Sequence, residues 1–438
     1  MAQALAVRGP RVGRCAARTN LESVSSPISA ADVDRAASLL DGVTRRTPLR
    51  PSPRLSEATG ATVLLKREDL QPVRSYKLRG AYTLIASLTE EERAKGVVCA
   101  SAGNHAQGVA FACAALGVTA RIYLPRTTPR QKRDRVAAIG GPSVDVVVGG
   151  DVYDDAADAA LRDAAETGAT VVPAFDAADV MAGQGTVAAE IVDELGHAPD
   201  VVVVPVGGGG LLGGVATWFR ERHPQTRIVG VEPAGAPSMI AALEAGGPVT
   251  LEEMDGFVDG AAVRRVGDLT YAAVAAADVE VVTVPEGAVC VEMLALYQTE
   301  GIITEPAGSL AVAALPDLGL AAGSTVVAVV SGGNNDLSRY ADIVERALIH
   351  EGRKHYFLVE FPQEPGALRH FLDTVLGPDD DIAYFEYVKR SNRETGPALV
   401  GIELGTPDDL LPLLARMETA PMTIERIDPD SPLFRFVG

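Results

Sequence analysis

Short runs of β-branched residues recur through the middle of this chain, and alanine-rich segments of helical length separate them. The strand-like runs are 97–100, 120–124, 144–148, 170–172, 201–206, 227–232 and 325–330. Most of them have no polar face. Strands apolar on both sides and alternating with helices belong to parallel sheets covered by helices above and below. The intervening patterns predict helices over 103–116, 131–139, 154–166 and 186–195, the first stopped by Gly117 and the second by Gly140 and Gly141. The fold class that follows is α/β, with two parallel-sheet subdomains and a cleft between them.

Either side of this region the pattern changes. Residues 1–27 carry Arg8, Arg11, Arg14 and Arg18 against one acid, Glu22, and read as a flexible tail. Ser29 caps a helix running to Leu40, and 63–66 reads as a strand leading toward a further helix at Lys77. A catalytic domain is expected over 28–335, with the smaller subdomain inserted at about 75–175. Residues 336–349 predict a connecting helix. Beyond it, strands at 355–361, 382–389, 398–404 and 423–427 enclose helices at 366–376 and 408–417. That βαββαβ order describes a compact ferredoxin-like unit over 350–438.

Composition narrows the function classes. A formal charge of -19 opposes nucleic-acid binding, which needs a basic face. No apolar stretch reaches the length of a membrane span. Cys15, Cys99, Cys113 and Cys290 show no paired spacing, which fits reduced thiols in a cytoplasmic protein. The 6 histidines fall at no metal-ligand spacing, so no catalytic metal is expected. Near Glu232, too, no ligand set for a metal or monovalent cation stands out.

Lys77 is the centre of the chemistry. A lysine amine attacks an aldehyde only when neutral, and burial or a neighbouring cation favours that form. Arg74 and Arg79 flank it, an apolar small-residue segment follows from Gly80, and Lys77 would open a helix with its side chain facing a cleft. A second element follows the 201–206 run, where Gly207, Gly208, Gly209, Gly210 and Leu211 form a glycine loop before a helix. Such loops close backbone N–H groups around phosphate oxygens at a favourable helix dipole. Glu232 lies at a spacing that a dinucleotide site would also use, but the loop is not in the first βαβ unit. A third element, Ser101, Ala102, Gly103, Asn104 and His105, joins a strand end to a helix start and suits a carboxylate. His105 invites a general-base reading, although a histidine at a helix start more often serves as a structural hydrogen-bonder. Ser331 heads a fourth strand-end loop. Taken together, these are the ligand edge of an open α/β sheet.

Lys66-Arg67-Glu68-Asp69-Leu70-Gln71-Pro72, Ser75-Tyr76-Lys77-Leu78-Arg79-Gly80-Ala81, Ser101 to Gly108, Ala182-Gly183-Gln184-Gly185-Thr186 and the glycine loop together resemble threonine dehydratases. These are pyridoxal-phosphate enzymes of the tryptophan-synthase-β fold type, and the resemblance runs from residue 29 to the C-terminus. Tyr76 departs from the phenylalanine common there. The resemblance implies pyridoxal 5'-phosphate as cofactor, with Lys77 joined to it as a Schiff base. It further implies that Gly207, Gly208, Gly209, Gly210 and Leu211 hold the phosphate, that Asn104 contacts the ring hydroxyl, and that Ser331 faces the ring nitrogen. Ser101, Ala102, Gly103, Asn104 and His105 would bind the substrate carboxylate. The implied reaction is elimination from L-threonine or L-serine, giving 2-oxobutanoate or pyruvate and ammonia. Glu305 either contacts the ring region or caps the helix that follows it.

In the C-terminal unit, Glu364, Pro365, Gly366, Ala367 and Leu368 resemble the ligand turn of ACT-like regulatory domains. The resemblance implies inhibition by isoleucine, often opposed by valine, and a homo-oligomer, expected to be a tetramer, that pairs the single units. Two rivals remain. A serine or threonine racemase needs a second acid–base, which Ala102 does not offer. A non-catalytic amino-acid sensor would have no need of an intact Lys77 with all its companion loops.

Overall fold

The computed structural model describes residues 25–387, 394–429, 431 and 434. Most of the tail expected over 1–27, including Cys15, and Val388 and Lys389 of the expected 382–389 strand lie outside the described residues. The chain divides into two compact units, Met1–Glu286 with Ala295–Asn335 and Gly287–Leu294 with Asp336–Gly438. Among the described residues no helix is long and apolar enough to cross a membrane.

The strands of the first unit are β1 (Leu49–Pro51), β2 (Thr62–Arg67), β3 (Val97–Ala100), β4 (Ala120–Leu124), β5 (Val144–Val148), β6 (Thr170–Val171), β7 (Val201–Pro205), β8 (Arg227–Pro233), β9 (Glu280–Val284) and β10 (Thr325–Val330). They form one sheet in the order β1-β2-β10-β7-β8-β9 and another in the order β5-β4-β3-β6. Every neighbour pair is parallel except β1 with β2. All five residues of β7 are buried, as a central strand covered on both faces requires. β9 lies in a stretch where the sequence pattern predicts no strand. It is an edge strand beside β8, and Glu280 and Thr283 break its apolar run.

Helices lock these sheets in place. Ser29 caps the Ala30–Leu40 helix as expected, and Asp32 completes a reciprocal capping box. The Ala178–Leu195 helix begins eight residues before the predicted start at 186. Its glycines at 183 and 185 lie ahead of that predicted start, and they mark close helix packing. A Cβ at Gly183 would stand 2.7 Å from the Arg79 carbonyl oxygen, and one at Gly185 would stand 2.9 Å from that of Gly214. Interior glycine costs a helix roughly 0.5–1 kcal/mol, which the approach of the Lys77–Ser87 and Gly210–Arg222 helices offsets.

The second unit contains β11 (Lys354–Pro362), β12 (Asp381–Tyr387), β13 (Thr395–Glu403) and β14 (Thr423–Ile427). They form an antiparallel sheet ordered β12-β13-β11-β14, with helices Ala367–Val375 and Leu410–Thr419 completing the predicted βαββαβ order. Phe357, Phe361, Phe371, Val400, Ile402 and Leu413 form part of its core. The expected 336–349 helix is regular only over Tyr340–His350, because Asp336 caps a 3-10 turn at Leu337–Arg339.

Candidate active site

Lys77 opens the Lys77–Ser87 helix, as the sequence predicts. Its Nζ donates to the Ala174 carbonyl at 3.0 Å and lies 5.2 Å from the Tyr76 ring centroid. Arg79 does not serve as the expected neighbouring cation. It is fully buried, with Nε on Glu68 Oε2 at 2.8 Å and Nη1 on Glu190 Oε1 at 2.7 Å. Lys66 Nζ adds a bond to Glu190 Oε2 at 2.7 Å. Burial opposes the Glu68 charge, but the Arg79 guanidinium outweighs it and holds the carboxyl below its usual range. Arg79 is therefore a structural tie between chain segments, with its charge matched locally.

The 101–105 loop joins β3 to the Asn104–Leu116 helix, whose first N–H groups have no intrahelical partners. Ser101, Ala102, Gly103 and Asn104 are half-buried at this helix start. His105 points elsewhere. Its Nε2 donates to the Val172 carbonyl at 2.8 Å, and burial, aided by the Lys77 charge, lowers the imidazole to about 4. A neutral histidine donating to a carbonyl is the structural hydrogen-bonder that its helix position suggests.

Asn104 belongs to a directed amide relay. The Val73 carbonyl only accepts, so Asn334 presents its amide nitrogen there at 2.8 Å and, with the same nitrogen, to Asn104 Oδ1 at 2.7 Å. That leaves Asn104 Nδ2 to donate to Glu305 Oε1 at 2.5 Å, with its second N–H still available. Glu305 precedes the Pro306–Ala313 helix, but its side chain makes no cap bond there. Burial and Asp259 raise this carboxyl to about 7, against the lowering effect of Asn104. The sequence leaves Glu305 between two roles, and the structure puts it against Asn104.

The glycine loop leaves β7 and enters the Gly210–Arg222 helix, with Gly209 at φ 89 in the left-handed region. It is pressed from both sides. A Cβ at Gly207 would stand 2.9 Å from the Ala261 Cα, and one at Gly208 would stand 2.2 Å from the Phe175 ring. Only bare backbone fits, and Leu211 is buried behind it. Glu232 is committed elsewhere. It accepts from the Met239 and Ile240 N–H groups at 2.7 and 3.0 Å, and burial lifts its carboxyl to about 8. A carboxyl that caps the Ser238–Ala245 helix is not free to bind a ribose.

Ser331 follows β10, is buried, and donates from Oγ to the Ala307 carbonyl at 3.2 Å. Its carbonyl accepts from Tyr76 N at 3.2 Å, and Ser75 pairs with Gly332 in an isolated bridge. A Cβ at Gly108 would stand 3.0 Å from the Lys77 carbonyl, so the Asn104 helix rests directly on the lysine backbone. The four predicted elements therefore form one connected constellation at the ends of β3, β7 and β10. Its donor set suits pyridoxal 5'-phosphate: an amine for the aldehyde, a bare glycine cradle at a helix start for the phosphate, an amide for the ring hydroxyl and a serine for the ring nitrogen.

Ala174, Phe175, Asp176 and Thr270, none of them a predicted site residue, also border this constellation. No motif marks them, since each acts through a contact distant in sequence. In the second unit, Glu364, Pro365, Gly366 and Leu368 are exposed and Ala367 half-buried, with Gly366 at φ 95 heading the Ala367–Val375 helix.

Residues 40–332 match the family model described as pyridoxal-phosphate dependent enzyme. Residues 345–437 match that of the C-terminal regulatory domain of threonine dehydratase. The biosynthetic L-threonine dehydratase of Mycobacterium tuberculosis is 61% identical over 418 residues, spanning 94% of this chain and 97% of its own. That of Corynebacterium glutamicum is 57% identical over 415 residues, spanning 94% and 95%. Among solved structures, the processed threonine deaminase isoform 2 of Solanum lycopersicum superposes with a TM-score of 0.68 at 37% identity, covering 75% of this chain and 99% of that one. Maize serine racemase reaches the same TM-score of 0.68 at 29% identity, covering 74% and 98%. Matched by both family models and 61% identical to such an enzyme over 94% of its length, this protein belongs to the pyridoxal-phosphate-dependent threonine dehydratases.

Proposed function

We propose that the chain deaminates L-threonine, and L-serine in its place, by α,β-elimination as the committed step of isoleucine biosynthesis. The observation that carries this reading is the convergence of Lys77, the 207–211 loop, Asn104 and Ser331 on one edge of the sheets. Bound pyridoxal 5'-phosphate supplies the electron sink that makes the substrate Cα proton labile.

Lys77 is the residue that would hold the cofactor aldehyde, and its freed Nζ would take the substrate Cα proton. The N–H groups and hydroxyl of residues 101–105 hold the substrate carboxylate, fixing the Cα–H bond toward that amine. Asn104, oriented by Asn334 and Glu305, offers its remaining N–H to the ring hydroxyl. Ser331 would offer the ring nitrogen a hydroxyl, which cannot keep that nitrogen protonated as a carboxylate would. A weaker electron sink of that kind would favour loss of the β-hydroxyl over a persistent Cα carbanion. Ala102 supplies no second acid–base for racemisation. The unsaturated amine that is released hydrolyses to 2-oxobutanoate or pyruvate and ammonia.

The single βαββαβ unit takes isoleucine as inhibitor at its 364–368 turn, with valine opposing it. Pairing of such units requires a homo-oligomer, a tetramer in this reading, working in the cytoplasm. The deciding experiment is 2-oxobutanoate formation from L-threonine with and without isoleucine. Production suppressed by isoleucine supports both parts. Production indifferent to it removes the regulatory part, and no oxoacid from either substrate by cofactor-loaded protein overturns the lyase.

A further inference from the structure

We propose that Thr270, set by Asp176, is the positioning residue that aims the glycine loop at the cofactor phosphate. The inference rests on reading Gly207 to Leu211 as the phosphate cradle. Thr270 is completely buried, and of the two carbonyls within reach of its Oγ1 the hydroxyl donates to the nearer, Gly208 at 2.7 Å, rather than to Gly267 of its own helix start at 3.1 Å. A trans peptide is planar, so its C=O and N–H point in opposite directions. The bond to Gly208 O therefore turns the Gly209 N–H away from Thr270. Among the described residues that N–H donates to no protein acceptor. With Gly209 at φ 89, it lies at the mouth of the Gly210–Arg222 helix, where partial positive charge gathers. The loop contains no lysine or arginine, so orientation of its N–H groups has to do what a cation does elsewhere.

Thr270 is itself held from a distant part of the chain. Asp176 accepts from the N–H groups of Asp268, Leu269 and Thr270 at 3.1, 2.9 and 3.3 Å, capping the Asp268–Ala277 helix from outside. A Cβ at Gly267 would stand 2.2 Å from the Asp176 carboxyl, so the carboxylate is seated against bare backbone. Asp176 ends a run of three residues that all serve this site. Ala174 accepts the Lys77 amine at 3.0 Å, the Phe175 ring packs on Gly208, and Asp176 fixes the helix that carries Thr270. One short segment thus sets the lysine and the phosphate cradle against each other.

The test separates phosphate recognition from general damage. Cofactor is stripped from the full chain and added back as pyridoxal 5'-phosphate or as pyridoxal, and binding is followed by the absorbance of the lysine-bound chromophore. T270V raises the dissociation constant for the phosphorylated form about tenfold and leaves pyridoxal within about twofold, one hydrogen bond's worth of preference. T270S restores the wild-type value. D176A shows the same phosphate-selective loss to a smaller extent and stands in where T270V does not fold. Equal weakening of both forms, or no change in either, overturns the proposal. A wild-type chain with no preference for the phosphorylated form sinks the cradle reading as well, whereas a wild-type preference retained by T270V sinks the Thr270 inference alone.

Discussion

Asn104 and Glu305, 201 positions apart in the chain, meet through a 2.5 Å hydrogen bond that fixes which end of the Asn104 amide faces the cleft. The direction is forced from the other side, since Val73 accepts from Asn334 and Asn334 then gives to Asn104 Oδ1. An asparagine fixed in this way can present an N–H to a ring hydroxyl without paying to reorganise.

The Glu305 carboxyl also has a pH consequence. Its folded value of about 7 stands above the ordinary 4.5, so between these values the folded protein binds a proton that the unfolded chain has released. Stability from this group is therefore present below the lower value and lost as pH rises through the upper one. E305Q keeps the hydrogen bond and removes the titration. Thermal melts at pH 5 and pH 8 will show the wild type losing ground to E305Q, by up to ~3 kcal/mol across that window. Parallel curves for the two proteins would refute it.

Replacing the central lysine tests the assignment of chemistry. K77A retains the glycine cradle but has no amine for the cofactor aldehyde or the Cα proton. We expect 2-oxobutanoate formation to fall by at least about 10³-fold, with loss of the absorbance of lysine-bound cofactor. Retention of that absorbance in K77A would place the Schiff base on another residue.

Arg79 bears on folding. R79M leaves Glu68 completely buried and Glu190 nearly so, without their shared guanidinium. Breaking a buried pair by removing one partner costs about 3–5 kcal/mol. Denaturant titration of the full chain should show a loss of that size. Adding E68Q to R79M should recover part of it, because a neutral amide needs no counter-charge. Failure of R79M to shift the midpoint would mean that the cluster contributes nothing net.

Gly366 tests the regulatory turn. At φ 95 a side chain is strained whatever the surrounding space, and the cost for alanine is about 1–2 kcal/mol. G366A therefore shifts the isoleucine inhibition curve of threonine turnover to higher isoleucine by several-fold. An unmoved curve would take isoleucine away from the 364–368 turn.

By itself the sequence determined most of what is local. β3, β4, β5, β10 and β14 begin and end at the predicted residues, because a strand paired in a sheet writes an apolar or alternating pattern into consecutive residues. Lys77, the glycine loop, the 101–105 loop and Ser331 were legible for the same reason, each being a strand end, a helix start or a bare-backbone turn. Tertiary structure alone decided the rest. The glycines at 183 and 185 stand outside the helix predicted from 186, and only the Arg79 and Gly214 backbones lying against them show why they belong inside it. Arg79 reads as a cation beside the lysine until Glu68 and Glu190 enclose it. Glu305 on Asn104, and Asp176 beneath Thr270, join residues 201 and 94 positions apart. Such contacts depend on which buried groups find a partner once the sheets have closed, and no window of neighbouring residues records that.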